Sequence, residues 1–535
     1  MARSYRPVVR DQEFLLAPNM ADWLPSDHLV WFVLAVVEQV DTSHFHRFRR
    51  RGGVGRQGYD PDMLLGLLVY AYAVGERSSR RIERLCVDHV AFRIACGDDR
   101  PDHTTLARFR AEHDEAFVEF FAQVLRLCAN AGMVKVGSIA IDGTKVAANA
   151  SKGANRTPDK IREEARRLAR DVVTEAGARD AVEQAAAAAR GGRDDDQLPP
   201  GFTGTGRAAN VKKALAELDR QDAQFAAEDE ADQAQIREYL AEVEISSTRR
   251  GTLLAGVDPG LVHQARIRRI HREIAELEGV KGKAASTRRA GLRRLLREAQ
   301  AKLTQAEADK AAGKVDLRPH SQRVRERREE RARQNGTLGR QINRTDPDSR
   351  LMTEGSGGGS IQGYNCQLAV TDDHLVLGIY LSQEANDTSC YLPTLAKATA
   401  HAEDLGLSIG TVLADAGYCT QENLTAPGPN RLIATGKDRM VALAARENPG
   451  NGSVPVDADA REAMRHKLRD PRNAALYKRR SATVEPVNAH AKDQIGLRRF
   501  ARRGLQAVNA ELHLAAAAIN LNRLYRLYRL TPAAP

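Results

Sequence analysis

The first third of the chain carries apolar residues at helical spacing. An apolar run from Leu29 to Val37 follows Ser26 and Asp27, which are read as helix caps. Gly58-Tyr-Asp-Pro61 punctuates the start of an apolar helix from Met63 to Val74. Ser78 and Ser79 then cap a second helix bearing Arg80, Arg81, Ile82 and Leu85. Pro101-Asp102-His-Thr-Thr105 opens a third, with Leu106 and Phe109 on the inner face and Arg108 and Arg110 pointing outward. Two readings of residues 1–135 stand at this point. One is a helix-turn-helix reader using these arginines; the other is a helical bundle whose arginines are solvated.

The period then switches. Gly137-Ser-Ile-Ala-Ile-Asp142-Gly is a short apolar strand ending on a carboxylate. Thr411-Val-Leu-Ala414, bounded by Gly410 and Gly417, is another, and it delivers Asp415. Strands are also expected at Ile361–Val370 and Leu375–Ser382, paired as a hairpin around Thr371–His374, and at Arg431–Ala434. Ala385-Asn-Asp387 is read as the cap of a helix from Ser389 to Asp404. Glu485, followed by Pro486, sits at or near the start of a further helix, where proline's missing N–H costs nothing. A C-terminal helix runs from Leu505 to about Leu527.

Residues 151–344 differ in kind. Ala, Arg, Glu and Lys dominate and aromatics nearly vanish. Ile267, Ile270, Ile274 and Leu277 recur at a/d spacing, as do Leu292, Leu296, Ala299 and Leu303. With Gly279–Gly291 between them, they predict an antiparallel helical hairpin. Helices are also expected at Pro158–Ala189 and Ala208–Val243, around a loop from Gly191 to Gly206. Gly355–Ser360 is a flexible glycine-serine segment. The order is that of a mixed α/β sheet interrupted after its first strand by a helical insertion. The domain carrying the sheet is 136–150 with 345–504, the insertion 151–344, and a C-terminal helix and tail 505–535.

Charge narrows the partner. The net charge is +11 with a pI near 9.4, which favours a polyanion, nucleic acid before a membrane surface. The six cysteines form no CxxC pair and are read as reduced thiols, and no apolar run is long enough to span a bilayer. With no signal peptide recognised, a soluble cytoplasmic protein is expected. Asp194-Asp195-Asp196 is read as a solvated charge run, and His44-Phe-His46 lacks a third ligand nearby in sequence. No Walker loop, GxSxG or GxGxxG stands in a usable context, which argues against nucleotide hydrolysis, serine hydrolysis and a Rossmann cofactor.

The candidate chemistry lies in Asp142, Asp415 and Glu485. Lys492 lies seven residues after Glu485, close to two helical turns, so both would share one helix face. Carboxylates from two strand ends and a helix, with a lysine beside them, suit divalent metal and phosphate.

In order, Asp142-Gly-Thr-Lys145, Asp415-Ala-Gly-Tyr418 and Tyr477…Arg480…Val484-Glu485-Pro486…Lys492 resemble the three catalytic blocks of bacterial DDE insertion-sequence transposases. Gly496-Leu-Arg-Arg-Phe500, Thr345-Asp-Pro-Asp-Ser-Arg350, Gly363-Tyr-Asn365-Cys-Gln367 and Ala385-Asn-Asp387 extend the resemblance. At the N-terminus Tyr59-Asp-Pro61, Ser78-Ser-Arg80 and Pro101–Arg110 are similar to that group's N-terminal domain. There is one departure: four residues separate Arg480 from Glu485 where the usual signature has a three-residue spacing, which bears on the role of Arg480.

The resemblance implies an RNase H-like catalytic fold in which the Asp142 and Asp415 strands are parallel neighbours. It implies that the three acids are catalytic and bind two Mg²⁺ ions, with Mn²⁺ as a substitute. Lys492, Arg480 and Tyr477 would hold phosphates, and Arg80, Arg81, Arg108 and Arg110 would contact DNA ends. The activity expected is 3′-end cleavage and strand transfer by a homodimer on terminal inverted repeats. The principal alternative is a catalytically silent, domesticated DNA-binding repressor. A coiled-coil scaffold leaves the acid blocks unexplained, and a nuclease that cuts without joining differs little in sequence.

Overall fold

A computed structural model of the chain describes residues 19–47, 58–168, 204–246, 253–334, 339–354, 359–450, 454–455 and 457–530. The Asp194–Asp196 run, most of the Gly191–Gly206 loop, Gly355–Gly358 and the part of the Pro158–Ala189 helix beyond residue 168 lie outside them. The chain divides into two units, one of Met1–Ala154 with Thr345–Pro535 and one of Asn155–Arg344.

In the first unit the N-terminal helices form where the apolar pattern placed them. Pro61–Ala73 begins with proline at its first position, and Asp60 accepts from the Asp62 N–H at 2.8 Å. His103–Glu112 is capped by Asp102, which accepts from the Thr105 N–H at 2.8 Å. Leu29–Gln39 is capped by His28 rather than by Ser26 or Asp27, because the His28 ring nitrogen reaches the Val30 N–H. One hydrophobic core runs from these helices through the sheet to the C-terminal helix Leu505–Leu530.

The strands of this unit are β1 (Ser138–Ala147), β2 (Arg350–Glu354), β3 (Gly359–Thr371), β4 (Val376–Ser382), β5 (Thr411–Ala414) and β6 (Asn430–Ile433). They form a six-stranded mixed sheet in the order β2-β3-β1-β5-β6, with β4 also paired to β3. β1 is antiparallel to β3 and parallel to β5, and β5 is parallel to β6. The expected parallel pairing of the two Asp-bearing strands is therefore present. Ile139, Ala140, Ile141 and Val412, Leu413, Ala414 are all fully buried, which is why these two stretches are continuous apolar runs.

Two helix expectations need correction. The helix after β4 spans Tyr391–Asp404 with Cys390 at its N-cap; Asp387 does not cap it. The Glu485 helix spans Arg479–Ala489, so Pro486 is interior rather than in the first turn. Proline there frees the carbonyl of Ala482, and both residues lie on the exposed side of the helix.

The second unit is helical, with helices at 158–168, Gly204–Ile245, Pro259–Glu276, Lys283–Ala311 and His320–Gln334. A two-residue antiparallel ladder joins Asn155–Arg156 to Ile342–Asn343. The hairpin seam is as patterned: Ile270, Leu292 and Ala299 are buried, with Ile267, Ile274, Leu277 and Leu296 packed on them. Its turn is shorter than expected. The second helix starts at Lys283 and contains Gly291, because Gly279 and Gly282 already supply the positive φ the reversal needs. Two guanidiniums, Arg325 and Arg340, lie over the Phe225 ring at 4.8 and 4.9 Å and reach Asp229 and Asp222, each at 2.6 Å.

Candidate active site

Ile141 pairs with Ala414 in the parallel register, so Asp142 and Asp415 stand at the same level, from backbones about 4.8 Å apart, but the strand expected to end on Asp142 does not end there. β1 runs on past Asp142 because β3 stays paired with it as far as Ala147. β5 stops, because Asp415 turns to accept from the Gly417 N–H at 2.8 Å and caps the turn Ala416–Tyr418.

A third carboxylate faces this pair, and it is Asp387. Asn365 and Gln367, two residues apart on β3, are fully buried and project from the same face. Their amides donate to Asp387 Oδ1 at 2.8 and 2.7 Å. The Tyr418 hydroxyl in turn donates to Gln367 Oε1. Gly143 makes room for this arrangement. A Cβ there would lie 2.4 Å from Gln367 Nε2, 2.6 Å from Asp387 Oδ1 and 3.1 Å from Asn365 Oδ1. The A-N-D motif that looked like a helix cap thus belongs beside Asp142 and Asp415. The signal in the sequence was the pair of amides at i and i+2 leading into the apolar run Leu368–Val370.

The cluster is short of positive charge. Burial raises Asp142 to about 6, and Asp415 and Asp387 add to the rise while Arg480 opposes it. Asp415 is also raised, by burial first and then by Asp387 and Asp438 against the Gly417 N–H and Arg480. Arg480 Nη1 is 3.9 Å from Asp142, and its Nη2 is 2.7 Å from Asp438. Asn488 Nδ2 lies 3.4 Å from Asp142, and among the described residues Asn488 Oδ1 and Arg480 Nε are buried without a partner.

Glu485 is exposed and stands one turn before Asn488 on the same helix, about 60° away in projection. Among the described residues, Asp142 and Asp415 do not form, with either Glu485 or Asp387, a trio whose ligand atoms all lie within 4.8 Å. Tyr477 is buried and donates to Asp438 at 2.7 Å, so Tyr477 and Arg480 both clamp Asp438. Lys492 is half-buried in a π-helical turn, His490–Gln494. That wider turn offsets the two-turn alignment expected between Glu485 and Lys492.

In the N-terminal helices Arg80, Arg81 and Arg108 are exposed, with Arg81 paired to Glu76 at 2.8 Å. Arg110 does not point outward. It is buried and donates to Arg77 O at 3.0 Å, to the Tyr72 hydroxyl at 3.4 Å and to the Ser79 hydroxyl. His46 does find acids, though not near it in sequence: it is 2.9 Å from Asp62, with Asp60 alongside, and Asp60 is occupied as a helix cap. No helix among the described residues is long and apolar enough to cross a membrane.

Two family models match the chain. A transposase domain (DUF772) matches residues 18–112, and a transposase DDE domain matches residues 453–525. The second stretch contains Tyr477, Arg480, Glu485 and Lys492; Asp142, Asp387 and Asp415 lie outside both. No curated protein and no solved structure matches the chain. With a transposase domain at its N-terminal end and a DDE domain at its C-terminal end, the chain is supported as a DDE-type insertion-sequence transposase.

Proposed function

We propose that this protein binds the terminal inverted repeats of an insertion sequence, cuts the 3′ ends and joins them to target DNA. The observation that carries the reading is the pair Asp142 and Asp415 at one level of two parallel strands, in a chain with a transposase match at each end. An RNase H-like arrangement of the sheet belongs to the same reading.

The residues fit a hard divalent cation. Every candidate ligand is an oxygen, and burial among like charges raises both Asp142 and Asp415, as expected of anions lacking their counter-ion. Asp142, Asp415 and Glu485 would hold Mg²⁺, with Mn²⁺ as substitute and two ions in all. Bound there, the ions would supply charge neutralisation at a phosphodiester.

The chain's own residues do the rest. Asn365, Gln367 and Tyr418 fix Asp387 beside the pair, and Arg480, held by Asp438, keeps a positive charge against Asp142. Lys492, together with Arg80, Arg81 and Arg108, positions the DNA backbone. In cleavage a water oxygen attacks phosphorus and the P–O3′ bond breaks, releasing a 3′-hydroxyl. In joining, that hydroxyl attacks a target phosphodiester and displaces the target's own 3′-oxygen. Two ends must be joined together, so the working form is a homodimer on DNA, acting in the cytoplasm at the nucleoid.

The test is cleavage and joining of labelled DNA carrying the gene's flanking ends, with Mg²⁺, comparing the native protein with Asp142→Asn. Cut and joined products absent from the variant support the reading. Binding without cutting, in Mg²⁺ and Mn²⁺ alike, would replace it with a DNA-binding repressor.

A further inference from the structure

Charge is segregated along the hairpin of the second unit. Residues 279–297 contain seven Lys or Arg and no Asp or Glu. The helix Lys283–Ala311 buries Leu292 and Ala299 on one side, with Leu296 half-buried beside them. At 100° per residue, Lys283, Arg293, Arg294 and Arg297 fall within an arc of about 100° centred on the opposite side. All four are exposed, and so are Ser286 and Ala290, the small residues that lie between them in the same arc.

Several arginines elsewhere in this unit are paired with acids. In the partner helix Pro259–Glu276, Arg268 and Arg272 reach Glu244 at 3.0 and 3.3 Å, and Arg269 reaches Glu273 at 3.3 Å. On the stripe, among the described residues, only Arg294 has a carboxylate in reach: Glu298, at 3.7 Å, with both side chains more than half exposed. Such a pair contributes little. Glu276 and Glu278 stand at the end of the partner helix, and neither forms an ion pair with a stripe residue. Arg289 is not part of the stripe; it donates to Leu277 O at 3.0 Å and closes the turn.

The start of this helix also runs against local preference. Its N-cap is Gly282, with no side-chain bond to the free N–H groups, and its first turn contains no acid but does contain Lys283. Cations at a helix N-terminus oppose the macrodipole, at a cost of about 0.3–1 kcal/mol each near the end. A helix that concentrates positive charge where folding disfavours it has been shaped by something other than its own stability.

We infer that the exposed face carrying Lys283, Arg293, Arg294 and Arg297 is a docking surface for the phosphate backbone of duplex DNA. From Lys283 to Arg297 the stripe runs about 21 Å, at 1.5 Å per residue. One DNA strand presents a phosphate about every 3.4 Å of axis, so the stripe spans about six. Small residues between the cations let the helix approach the backbone closely. Contacts from these cations to phosphate oxygens carry no sequence information, so the docking is independent of sequence. The choice of DNA as partner rests on the transposase reading; the exposed basic stripe does not.

The experiment measures binding of full-length protein to a short fluorescent duplex of scrambled sequence across about 50 to 200 mM salt. The stripe variant is K283Q/R293Q/R294Q/R297Q. Glutamine keeps helix propensity at these exposed positions, and circular dichroism checks the fold. A control variant, K302Q/R327Q/R328Q/R331Q, removes the same charge from other exposed positions of the unit. Each lost phosphate contact lowers the slope of log K against log salt by about 0.9, so the stripe variant is expected to lose about 3 to 4 of slope and the control almost none. Equal slopes for native and stripe proteins, or equal losses in both variants, overturn the inference. So does stripe-dependent binding that favours RNA or anionic vesicles over duplex DNA at matched salt. End cleavage is scored separately: its absence in the native protein counts against the transposase reading and leaves a stripe-dependent DNA slope standing.

Discussion

Replacing Asp142 with its amide, Asp142→Asn, should stabilise the metal-free protein. Asp142 is raised from an ordinary 3.8 to about 6 by burial, and then by Asp415 and Asp387 against Arg480. For an acid this direction means that folding favours the protonated form. The associated stability is present in full below the unfolded value and is lost as pH rises from about 4 through about 6. A rise of about 2 units, at about 1.4 kcal/mol per unit, amounts to about 3 kcal/mol above pH 6. The side chain is 22% exposed, so solvent screens only part of this. Asparagine removes the charge, keeps the shape, and still offers an oxygen to Asn488 Nδ2.

The assay is urea unfolding in EDTA. At about pH 7.5 the variant should gain up to about 3 kcal/mol over the native protein, and at about pH 4 the gain should shrink below about 1 kcal/mol. Added Mg²⁺ should then raise the native protein more than the variant, because a cation binding the folded state offsets the same repulsion. A variant no more stable than native at about pH 7.5, or one whose gain is the same at both pH values, would refute this account of the cluster's electrostatics.

Three further outcomes follow from named contacts. Gly143→Ala places a Cβ 2.6 Å from Asp387 Oδ1 and 2.4 Å from Gln367 Nε2, and should lower stability by about 1–3 kcal/mol and suppress DNA cleavage; an unchanged urea midpoint would show that the amides give way freely. Arg110→Ala should cost about 2 kcal/mol or more by removing the donor to Arg77 O and the Tyr72 hydroxyl, whereas exposed Arg108→Ala should leave stability within about 0.5 kcal/mol, and thermal melts of the two should differ accordingly. Glu511→Ala strands Arg77, 2.8 Å away, and the N–H groups of Ala501 and Arg502, so unfolding should become easier by about 3–5 kcal/mol; a loss below 1 kcal/mol would mean that this buried pair does not tie the N-terminal helices to the C-terminal segment.

What the chain discloses before folding is its local alternation, and the site is built from more than that. The two Asp-bearing strands were legible because each is a brief apolar run bounded by glycine. Arg110 was legible too, since it stands four residues after buried Leu106 and so shares its face; reading it as outward gave charge priority over period. Asp387 was harder. Alone it looks like a cap, and only the pairing of β1 with β3 brings Asn365 and Gln367 to where they turn it toward Asp142. Glu485 shows the limit from the other side, for a motif fixes its helix but not the direction its carboxylate takes. The decisive constraint is register. Ile139, Ala140 and Ile141 pair with Val412, Leu413 and Ala414, and burial on both faces fixes that alignment. A slip of one residue would send Asp142 to the other face of the sheet, away from Asp415. The apolar residues that precede each acid therefore do the aiming, and their substitution should disturb the chemistry without touching a single charged group.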